Sequence, residues 1–397
     1  MAKLSNRISN LSESQTLAMS KKTRELQALG RDIINLSIGE PDFDTPLFIK
    51  DAAKLAIDNN FTHYTPVAGF LDLRKAIAEK FKRDNGLNYT YQQIIVSTGA
   101  KQSIANAVLS IINTGDEVIV PIPYWVSYIE IIKLAEGIPV TIPTTIESNF
   151  KISPDQLKKA ITKKTKLLIF SSPCNPSGTI YSKSELKALA EVIVQYPDVY
   201  VISDEIYEYI NFVGKHESIA QFDFIYDRVI TVNGLSKGFA MTGWRLGYIG
   251  APLQIAEACE KIQGQFTSGT CSISQMAAIT ALKANPSVSF EMRDAFKKRR
   301  DLVLGLLNEI PGIKVNIPDG AFYLFPNVSS YYGKSYNSIT IKNSSDLSMY
   351  LLNEGNIALV SGDAFGDDDC IRFSYAASEK ILIEGLKRIK EALAKLK

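Results

Sequence analysis

The length, composition and charge of the chain narrow its class before any motif is considered. A chain of 397 residues exceeds the size at which a single hydrophobic core stops growing, which predicts two domains. Its composition, 46% hydrophobic and 22% charged residues, is typical of a folded globular protein and not of a disordered one. The formal net charge of only +2 gives no reason to expect binding to nucleic acid or to an anionic membrane surface.

The sequence also argues against export and membrane insertion. The first seven residues contain no apolar stretch of the kind found in signal peptides, and no apolar run approaches the ~20 residues that span a bilayer. The four cysteines, Cys174, Cys259, Cys271 and Cys370, are far apart and form no C-x-x-C pair, which is typical of buried, reduced thiols. We therefore expect a cytoplasmic protein.

Histidine is rare in this chain. His63 and His216 are the only two, which excludes most zinc sites built from several histidines and limits every mechanism that needs a histidine base. We expect no metal site.

The middle of the chain alternates short β-branched segments with segments of helical periodicity. Strands are predicted at Ile94–Ser97, Glu117–Pro121, Ile138–Ile142, Lys166–Phe170, Val199–Ser203, Arg228–Val232 and Leu246–Gly250. Helices are predicted between most of them, as at Gln102–Ile112, Tyr124–Ala135 and Ser184–Gln195. This alternation predicts an α/β fold, in which a large three-layer α/β/α domain has a mainly parallel sheet covered by helices on both faces.

After about Ser287 the pattern changes to that of a smaller α+β domain. A long charged helix, Phe290–Glu309, ends at Pro311-Gly312, as helices often do before such a pair. Strands near Ala321–Phe325, Ile357–Leu359 and Ile371–Ser374 and helices near Ser345–Glu354 and Glu379–Leu396 follow it. The first 45 or so residues contain no clear series of strands and are expected to pack against this part. We predict a large domain at 47–285 and a small domain made of 1–46 and 286–397.

The most informative segment is glycine-rich and follows a predicted buried strand, Asn233-Gly-Leu-Ser-Lys-Gly-Phe-Ala-Met-Thr-Gly-Trp-Arg-Leu-Gly247. It contains Lys237 and Arg245 among small residues. A lysine desolvated at a strand end has a lowered pKa and a nucleophilic neutral amine. An arginine beside it can bind a phosphate group with two parallel N–H groups. Taken alone, the two residues are more often solvated cations on an exposed loop.

The same segment matches the G-x-S-x-G pattern of α/β-hydrolases at Gly234, Ser236 and Gly238. In that family the catalytic serine is followed along the chain by an acid and then by a histidine. Both histidines of this chain precede Ser236. A hydrolase triad in that order cannot form, and the hydrolase interpretation is rejected.

Two further segments follow predicted strands and contain polar side chains. Ser203-Asp204-Glu205-Ile206-Tyr207 stands at the carboxyl end of one strand, where ligands bind in open α/β sheets. Asp204 could pair there with a protonated ring nitrogen and Tyr207 could donate to a phenolic oxygen, although an acidic helix cap is an equally simple interpretation. Ser171-Ser-Pro-Cys-Asn-Pro-Ser-Gly178 is either a plain turn or a rigid support for the amide of Asn175.

Taken together, these segments resemble the class I aminotransferases of the fold-type I pyridoxal-phosphate family. The resemblance rests on Asp204-x-x-Tyr207, on Asn175-Pro-x-Gly178, and on Ser236-Lys237 followed by Arg245. Other segments resemble the bacterial aspartate aminotransferase subgroup, namely Gly39-Glu-Pro-Asp-Phe-Asp-Thr-Pro46, Pro123-Tyr-Trp-Val-Ser-Tyr128, Met241-Thr-Gly-Trp-Arg245 and Arg372-Phe-Ser-Tyr375. They occur in the family's order from about Leu4 to the last helix, which leaves little room for chance.

The resemblance implies pyridoxal 5′-phosphate (PLP) as the cofactor. Lys237 would form a Schiff base with it and transfer the proton during catalysis, and Asp204 would pair with the pyridinium nitrogen. The other expected cofactor ligands are Tyr207 and Asn175 at ring oxygen O3′, Trp125 on the ring face, and Gly99, Ala100, Lys101, Ser236 and Arg245 at the phosphate. Many family members have a serine three residues before the lysine, where this chain has Gly234. Phosphate binding is therefore expected mainly from Ser236 and Arg245.

The resemblance also implies a reaction and an assembly. The reaction would be ping-pong transamination, in which an amino acid donates its amine to the cofactor and a 2-oxo acid collects it. The family is dimeric, with a tyrosine of each subunit reaching the partner's phosphate, and Tyr64 is expected to be that residue unless it is an ordinary turn aromatic. The expected substrate ligands are Arg372 for the α-carboxylate, Gly39 for close backbone approach, and Trp125 and Asn175.

Substrate preference depends on a second cation, and Lys101 is the candidate, assisted by Ser14 and Thr16 from the N-terminal segment. This assignment predicts aspartate and glutamate as amino donors and oxaloacetate and 2-oxoglutarate as acceptors, unless Lys101 only neutralises the cofactor phosphate. Other specificities, prephenate and aromatic substrates among them, remain open. So does a PLP-dependent β-lyase on the same scaffold. A binding domain without activity is disfavoured because Lys237 is present.

Overall fold

The computed structural model describes residues 4–397, which form two groups of elements around separate hydrophobic cores. The helices are α1 Asn6–Ser9, α2 Gln15–Ala28, α3 Leu47–Asp58, α4 Leu71–Lys80, α5 Ala100–Ile111, α6 Ser127–Leu134, α7 Pro154–Ala160, α8 Lys183–Ile193, α9 Leu253–Phe266, α10 Ser272–Lys283, α11 Phe290–Asn308, α12 Ser344–Glu354 and α13 Glu379–Leu393. The strands are β1 Ile34–Asn35, β2 Ile94–Ser97, β3 Glu117–Pro121, β4 Ile138–Ile142, β5 Thr165–Ser171, β6 Tyr200–Asp204, β7 Val229–Gly234, β8 Gly247–Gly250, β9 Tyr323–Leu324, β10 Ser335–Tyr336, β11 Ile339–Thr340, β12 Ile357–Ala358, β13 Val360–Ser361 and β14 Ile371–Ser374.

Seven strands form one large sheet in the order β2-β8-β7-β6-β5-β3-β4. Strand β8 runs antiparallel to both of its neighbours, and the other neighbouring strands are parallel. The predicted α/β fold with a mainly parallel sheet is confirmed. Each of its seven strands was predicted, with ends that differ by at most two residues.

Helices cover both faces of this sheet, because successive side chains of a strand point to opposite faces. In β5, Leu168 belongs to the hydrophobic core shared with α3, α4, α8 and α10. Its neighbours Leu167 and Ile169 belong to the core shared with α5, α6 and α9. All three side chains are fully buried, which explains why the strand is apolar throughout instead of alternating.

The parallel strands bring the functional segments to one edge of the sheet. Ser171 at the end of β5 is paired with Asp204 at the end of β6, and Asp204 with Val232 near the end of β7. The loops that leave these three strands therefore start side by side.

The second group of elements surrounds a separate core formed mainly by α11, α12, α13 and by strands β9 and β14 of the sheet β13-β14-β9. The N-terminal segment agrees with the expectation in part. Ile34–Asn35 form a short strand that pairs in parallel with Ile357–Ala358. Helix α1 contacts the large group instead, where Arg7 Nε lies 2.7 Å from Glu136 Oε1. The domain boundaries at 46/47 and 285/286 remain a prediction.

The structure bears on the expectations about membrane insertion and about the burial of the cysteines. Among residues 4–397, no helix combines the length and the apolar character needed to cross a membrane. Three cysteines are buried as expected, but Cys271 is exposed. The cytoplasmic location remains a prediction.

A charged pair lies in the interior of the large group. The side chain of Lys80, at the end of α4, is fully buried and forms an ion pair with Glu208. Its Nζ also donates to Asn85 Oδ1 at 2.8 Å, and Asn85 Nδ2 donates to Glu208 Oε2 at 2.9 Å. The pair therefore ties α4 to the segment that follows β6.

Removal of one partner from this pair should strongly destabilise the fold, because it leaves the other charge buried without compensation. We expect Lys80→Met to lower the free energy of unfolding by ~3–5 kcal/mol, measured by urea denaturation. Lys54→Met breaks the exposed pair with Asp51 and is the control, with an expected loss below ~1 kcal/mol. Equal losses in the two variants would contradict the prediction.

Candidate active site

A cavity of 280 Å³ opens at the carboxyl edge of the large sheet, between the two groups of elements. Most of the residues that the sequence singled out line it, although they come from distant parts of the chain. They are Ser14, Thr16, Gly39, Ala100, Lys101, Trp125, Asn175, Asp204, Tyr207, Ser236, Lys237, Arg245 and Arg372.

Lys237 lies in the loop after β7 and is not the solvated cation of an exposed loop. Its Nζ donates a hydrogen bond to the carbonyl oxygen of Gly39 and lies 5.8 Å from the centres of the Tyr207 and Phe322 rings. Desolvation lowers the pKa of Lys237 to about 8, and the positive charge of Arg372 acts in the same direction. At pH 7 about a tenth of the amine is therefore neutral and nucleophilic.

Asp204 ends β6 and is 5% exposed. Its Oδ2 accepts a hydrogen bond from the hydroxyl of Tyr128 at 2.7 Å, and its Oδ1 accepts one from the backbone N–H of Ile206 at 3.3 Å. Burial raises the pKa of Asp204 to about 6. A cation next to this carboxylate would favour its charged form.

Two tyrosines of the cavity wall were not predicted as site residues. Tyr128 stands in the motif Pro123–Tyr128 and reaches Asp204 from the first turn of α6. Tyr323 belongs to β9, and its hydroxyl lies 2.8 Å from that of Tyr207. Both side chains are buried. In sequence, each is an aromatic residue in an apolar helix or strand, which is the ordinary pattern of a core residue.

Arg372 in β14 is 2% exposed and is held from several sides. Its Nη1 donates to Asn175 Oδ1 at 3.1 Å, and its Nη2 donates to the carbonyl oxygen of Ser37 at 2.6 Å. The rings of Tyr323 and Phe365 lie 4.7 and 5.0 Å from the guanidinium carbon. Arg372 donates to the amide oxygen of Asn175, and the amide N–H groups of Asn175 remain available to donate to a ligand.

One end of the cavity suits an anion. Gly99 (φ +86°) precedes α5, whose first backbone N–H groups have no partner within the helix. A Cβ atom at Gly99 would lie 2.4 Å from Arg245 Nη2, and one at Gly247 would lie 2.2 Å from the backbone nitrogen of Ala100. The glycines thus allow the arginine and the helix start to meet, which is an arrangement that binds phosphate.

Lys101 lies at the same end of the cavity. Its Nζ is 5.1 Å from the centre of the Trp125 ring. Desolvation of the ammonium group lowers the pKa of Lys101, and the positive charge of Arg245 lowers it further. Ser14, which also lines the cavity, precedes α2 and makes no capping hydrogen bond with its side chain, so its hydroxyl is available to a ligand.

Two predicted site residues do not line the cavity. Gly99 only makes room for Arg245. Tyr64 is 98% exposed, and its side chain contributes nothing to the cavity of its own chain. The loop of Tyr64 nevertheless borders the anion-binding end. Thr65 Oγ1 donates to the carbonyl oxygen of Thr270, and the hydroxyl of Thr270 donates to the carbonyl oxygen of Arg245.

Residues 4–397 contain one group of possible metal ligands, formed by Glu205, Glu208 and His216. His216 Nε2 lies 2.9 Å from Glu205 Oε2, and Glu208 is paired with the ammonium group of Lys80. The ammonium group of Lys80 therefore already provides positive charge to Glu208, one of the three possible ligands.

Comparison with known proteins agrees with this geometry. The sequence profile of the family described as "Aminotransferase class I and II" matches residues 31–389. The chain belongs to this family. The predicted resemblance is thereby confirmed, and PLP is the cofactor of the family.

Its relatives include the bifunctional aspartate aminotransferase and glutamate/aspartate-prephenate aminotransferase of Petunia hybrida, which is 48% identical over 99% of this chain and 83% of its own length. Among solved structures, the aspartate aminotransferase of Rhizobium meliloti is 41% identical with a TM-score of 0.97 and full coverage of both chains. The aspartate aminotransferase of Thermus thermophilus with maleate is 40% identical with a TM-score of 0.93, over 99% of this chain and 100% of that one.

The lowered pKa of Lys237 can be tested without any substrate. In protein prepared without cofactor, the rate at which fluorodinitrobenzene modifies Lys237 should rise with pH through a midpoint near 8, because only the neutral amine reacts. Mass spectrometry of the peptide that contains Lys237 measures this rate. Arg372→Leu should move the midpoint upward, since a neighbouring positive charge is lost. A midpoint at the ordinary lysine value of about 10.4 would contradict the prediction.

Proposed function

We propose that this aminotransferase catalyses transamination between an L-amino acid, aspartate or glutamate first, and a 2-oxo acid. The observation that carries the proposal is the presence of Lys237, Asp204 and Arg372 in one cavity next to an anion-binding helix start. The relatives that match the whole chain include aspartate and aspartate/prephenate aminotransferases, which supports it.

The side chains of the cavity fit PLP. Asp204 is a buried acid whose raised pKa calls for a cationic partner, and the ring nitrogen would supply that partner. Tyr207 and the amide N–H groups of Asn175 would donate to O3′, and Trp125 would cover the ring. The phosphate would be bound by Arg245, Ser236 and the backbone N–H groups of Ala100 and Lys101.

When bound, PLP supplies an electron-withdrawing ring that stabilises negative charge at the substrate α-carbon. The amine of Lys237 would remove the proton from that carbon and return a proton during the transfer, since its pKa of about 8 suits both tasks near neutral pH. Arg372 would hold the α-carboxylate with its guanidinium group, which Asn175 and Ser37 already orient. Gly39 presents its carbonyl oxygen to Lys237 in the same space.

A dicarboxylic substrate needs a second cation. Lys101 lies at the anion-binding end of the cavity, near Trp125 and Arg245, and the hydroxyl groups of Ser14 and Thr16 line the same cavity. The Thermus thermophilus structure contains maleate, a dicarboxylate, which supports a preference of this kind. Prephenate, named for the Petunia hybrida relative, is also a dicarboxylate and is the second acceptor to examine.

The active unit would be a homodimer. Tyr64 is almost fully exposed on a loop next to the anion-binding end, and Phe266, the last residue of α9, is exposed as well. A second copy of the chain would cover these aromatic side chains and would receive the Tyr64 hydroxyl at its phosphate.

The proposed reaction predicts both a chromophore and an acceptor requirement. Purified protein supplied with PLP should be yellow, and borohydride should fix the cofactor to the peptide that contains Lys237. Aspartate should be consumed beyond one equivalent per active site only when 2-oxoglutarate is present. Lys237→Ala should lose turnover by orders of magnitude. Release of pyruvate and ammonia without an acceptor would indicate a β-lyase instead.

The role of Lys101 predicts a selective loss. Lys101→Ser should weaken the binding of aspartate and 2-oxoglutarate about ten- to a hundredfold, because a charge-assisted hydrogen bond contributes ~1.5–3 kcal/mol. Alanine and phenylalanine should be nearly unaffected, as measured by kcat/KM for each donor. Lys133→Ser removes a cation that pairs with Glu130 on α6 and is the control. Equal losses for every donor would assign Lys101 to the phosphate.

A further inference from the structure

Tyr323 combines complete burial with two polar or charged neighbours. Its side chain is 0% exposed, and its hydroxyl lies 2.8 Å from that of Tyr207. Its ring lies against the guanidinium group of Arg372 at 4.7 Å. A Cβ atom at Gly39 would come within 2.6 Å of the Tyr323 hydroxyl, so the glycine makes room for this hydroxyl group as well as for a substrate.

The direction of the hydrogen bond between the two hydroxyls follows from the number of protons. Either oxygen can donate in the free protein, but Tyr207 has only one hydroxyl proton. If that proton is donated to the ring oxygen O3′, as the proposed function requires, the bond between the tyrosines must be donated by Tyr323. We propose that Tyr323 is a positioning residue, whose hydroxyl donates to Tyr207 and thereby directs and strengthens the donation by Tyr207 to the cofactor.

The strengthening has a simple physical cause. A hydroxyl that accepts a hydrogen bond becomes a better donor, and the effect is larger where water is excluded. The charged groups that face the pair are Asp204 and Lys237 beside Tyr207, Arg372 beside both rings, and Glu40 beside Tyr323. Arg372 is held by Asn175 and Ser37 in any case, so loss of the Tyr323 hydroxyl would change the donor strength of Tyr207 without freeing the arginine.

The inference rests on the proposed function, because it concerns the oxygen of bound PLP. A stronger donor at O3′ favours negative charge on that oxygen and so lowers the pH at which the chromophore attached to Lys237 gains its proton. Without the Tyr323 hydroxyl, this spectral midpoint should rise. The readout is the absorbance of the loaded protein as a function of pH, in the absence of substrate.

The test compares three single-hydroxyl deletions. Tyr323→Phe should raise the spectral midpoint by about 0.3–1 pH unit, which corresponds to part of the free energy of one hydrogen bond. Tyr207→Phe should raise the midpoint further. Tyr375→Phe is the matched control, because Tyr375 is also fully buried and donates to the carbonyl oxygen of Ala321 in the same segment. Its midpoint should equal that of the unaltered protein.

A further variant tests the same hydrogen bond in case Tyr323→Phe does not fold. Gly39→Ala keeps both hydroxyl groups but displaces that of Tyr323, and it should shift the midpoint in the same direction. An unchanged midpoint in Tyr323→Phe, with a normal shift in Tyr207→Phe, would overturn the inference. A uniform increase in KM for all donors with an unchanged midpoint would do the same and would assign Tyr323 to the substrate carboxylate. If no chromophore forms in the unaltered protein, the proposed function itself fails.

Discussion

The guanidinium group of Arg372 joins the three parts of the chain that form the cavity. It belongs to β14, it donates to Asn175 after β5, and it donates to Ser37 in the N-terminal segment. Burial of a guanidinium group is costly unless its N–H groups have partners. Two of the Arg372 donors have such partners, on separate parts of the fold, while Nε has none among residues 4–397. These two bonds help to fix how the second group of elements meets the edge of the large sheet.

The same burial changes the acid–base properties of the cavity. Desolvation lowers the pKa of Lys237 and raises that of Asp204, so both groups move toward their neutral forms when no ligand is present. A ligand with a cationic ring nitrogen and an anionic phosphate restores charge to the acid and binds to the helix start. The cavity thus favours a ligand with separated charges over an apolar one of the same size.

Sequence reasoning was most successful where a residue follows a strand. Asp204 and Lys237 were predicted because they follow strands at the edge where ligands bind in open α/β sheets, and because the motifs around them resemble those of the family. The antiparallel direction of β8 was not predicted, since an apolar run such as Leu246–Gly250 contains no information about direction. Tyr128 and Tyr323 were missed because a buried aromatic residue has the same pattern whether or not its hydroxyl binds a functional group. The role of Tyr64 depends on a second chain, which no local pattern describes.

The close contact between Gly247 and the start of α5 leaves no room for a side chain at position 247, whereas other residues of the cavity wall can be replaced. A side chain at 247 would collide with the backbone of Ala100, and no rotamer change relieves a backbone collision. Ser14 and Thr16, by contrast, line the cavity from a segment with little buried surface. Mutational libraries aimed at new substrates should therefore keep the glycine and diversify the N-terminal segment, where altered cavity shape carries little risk to folding.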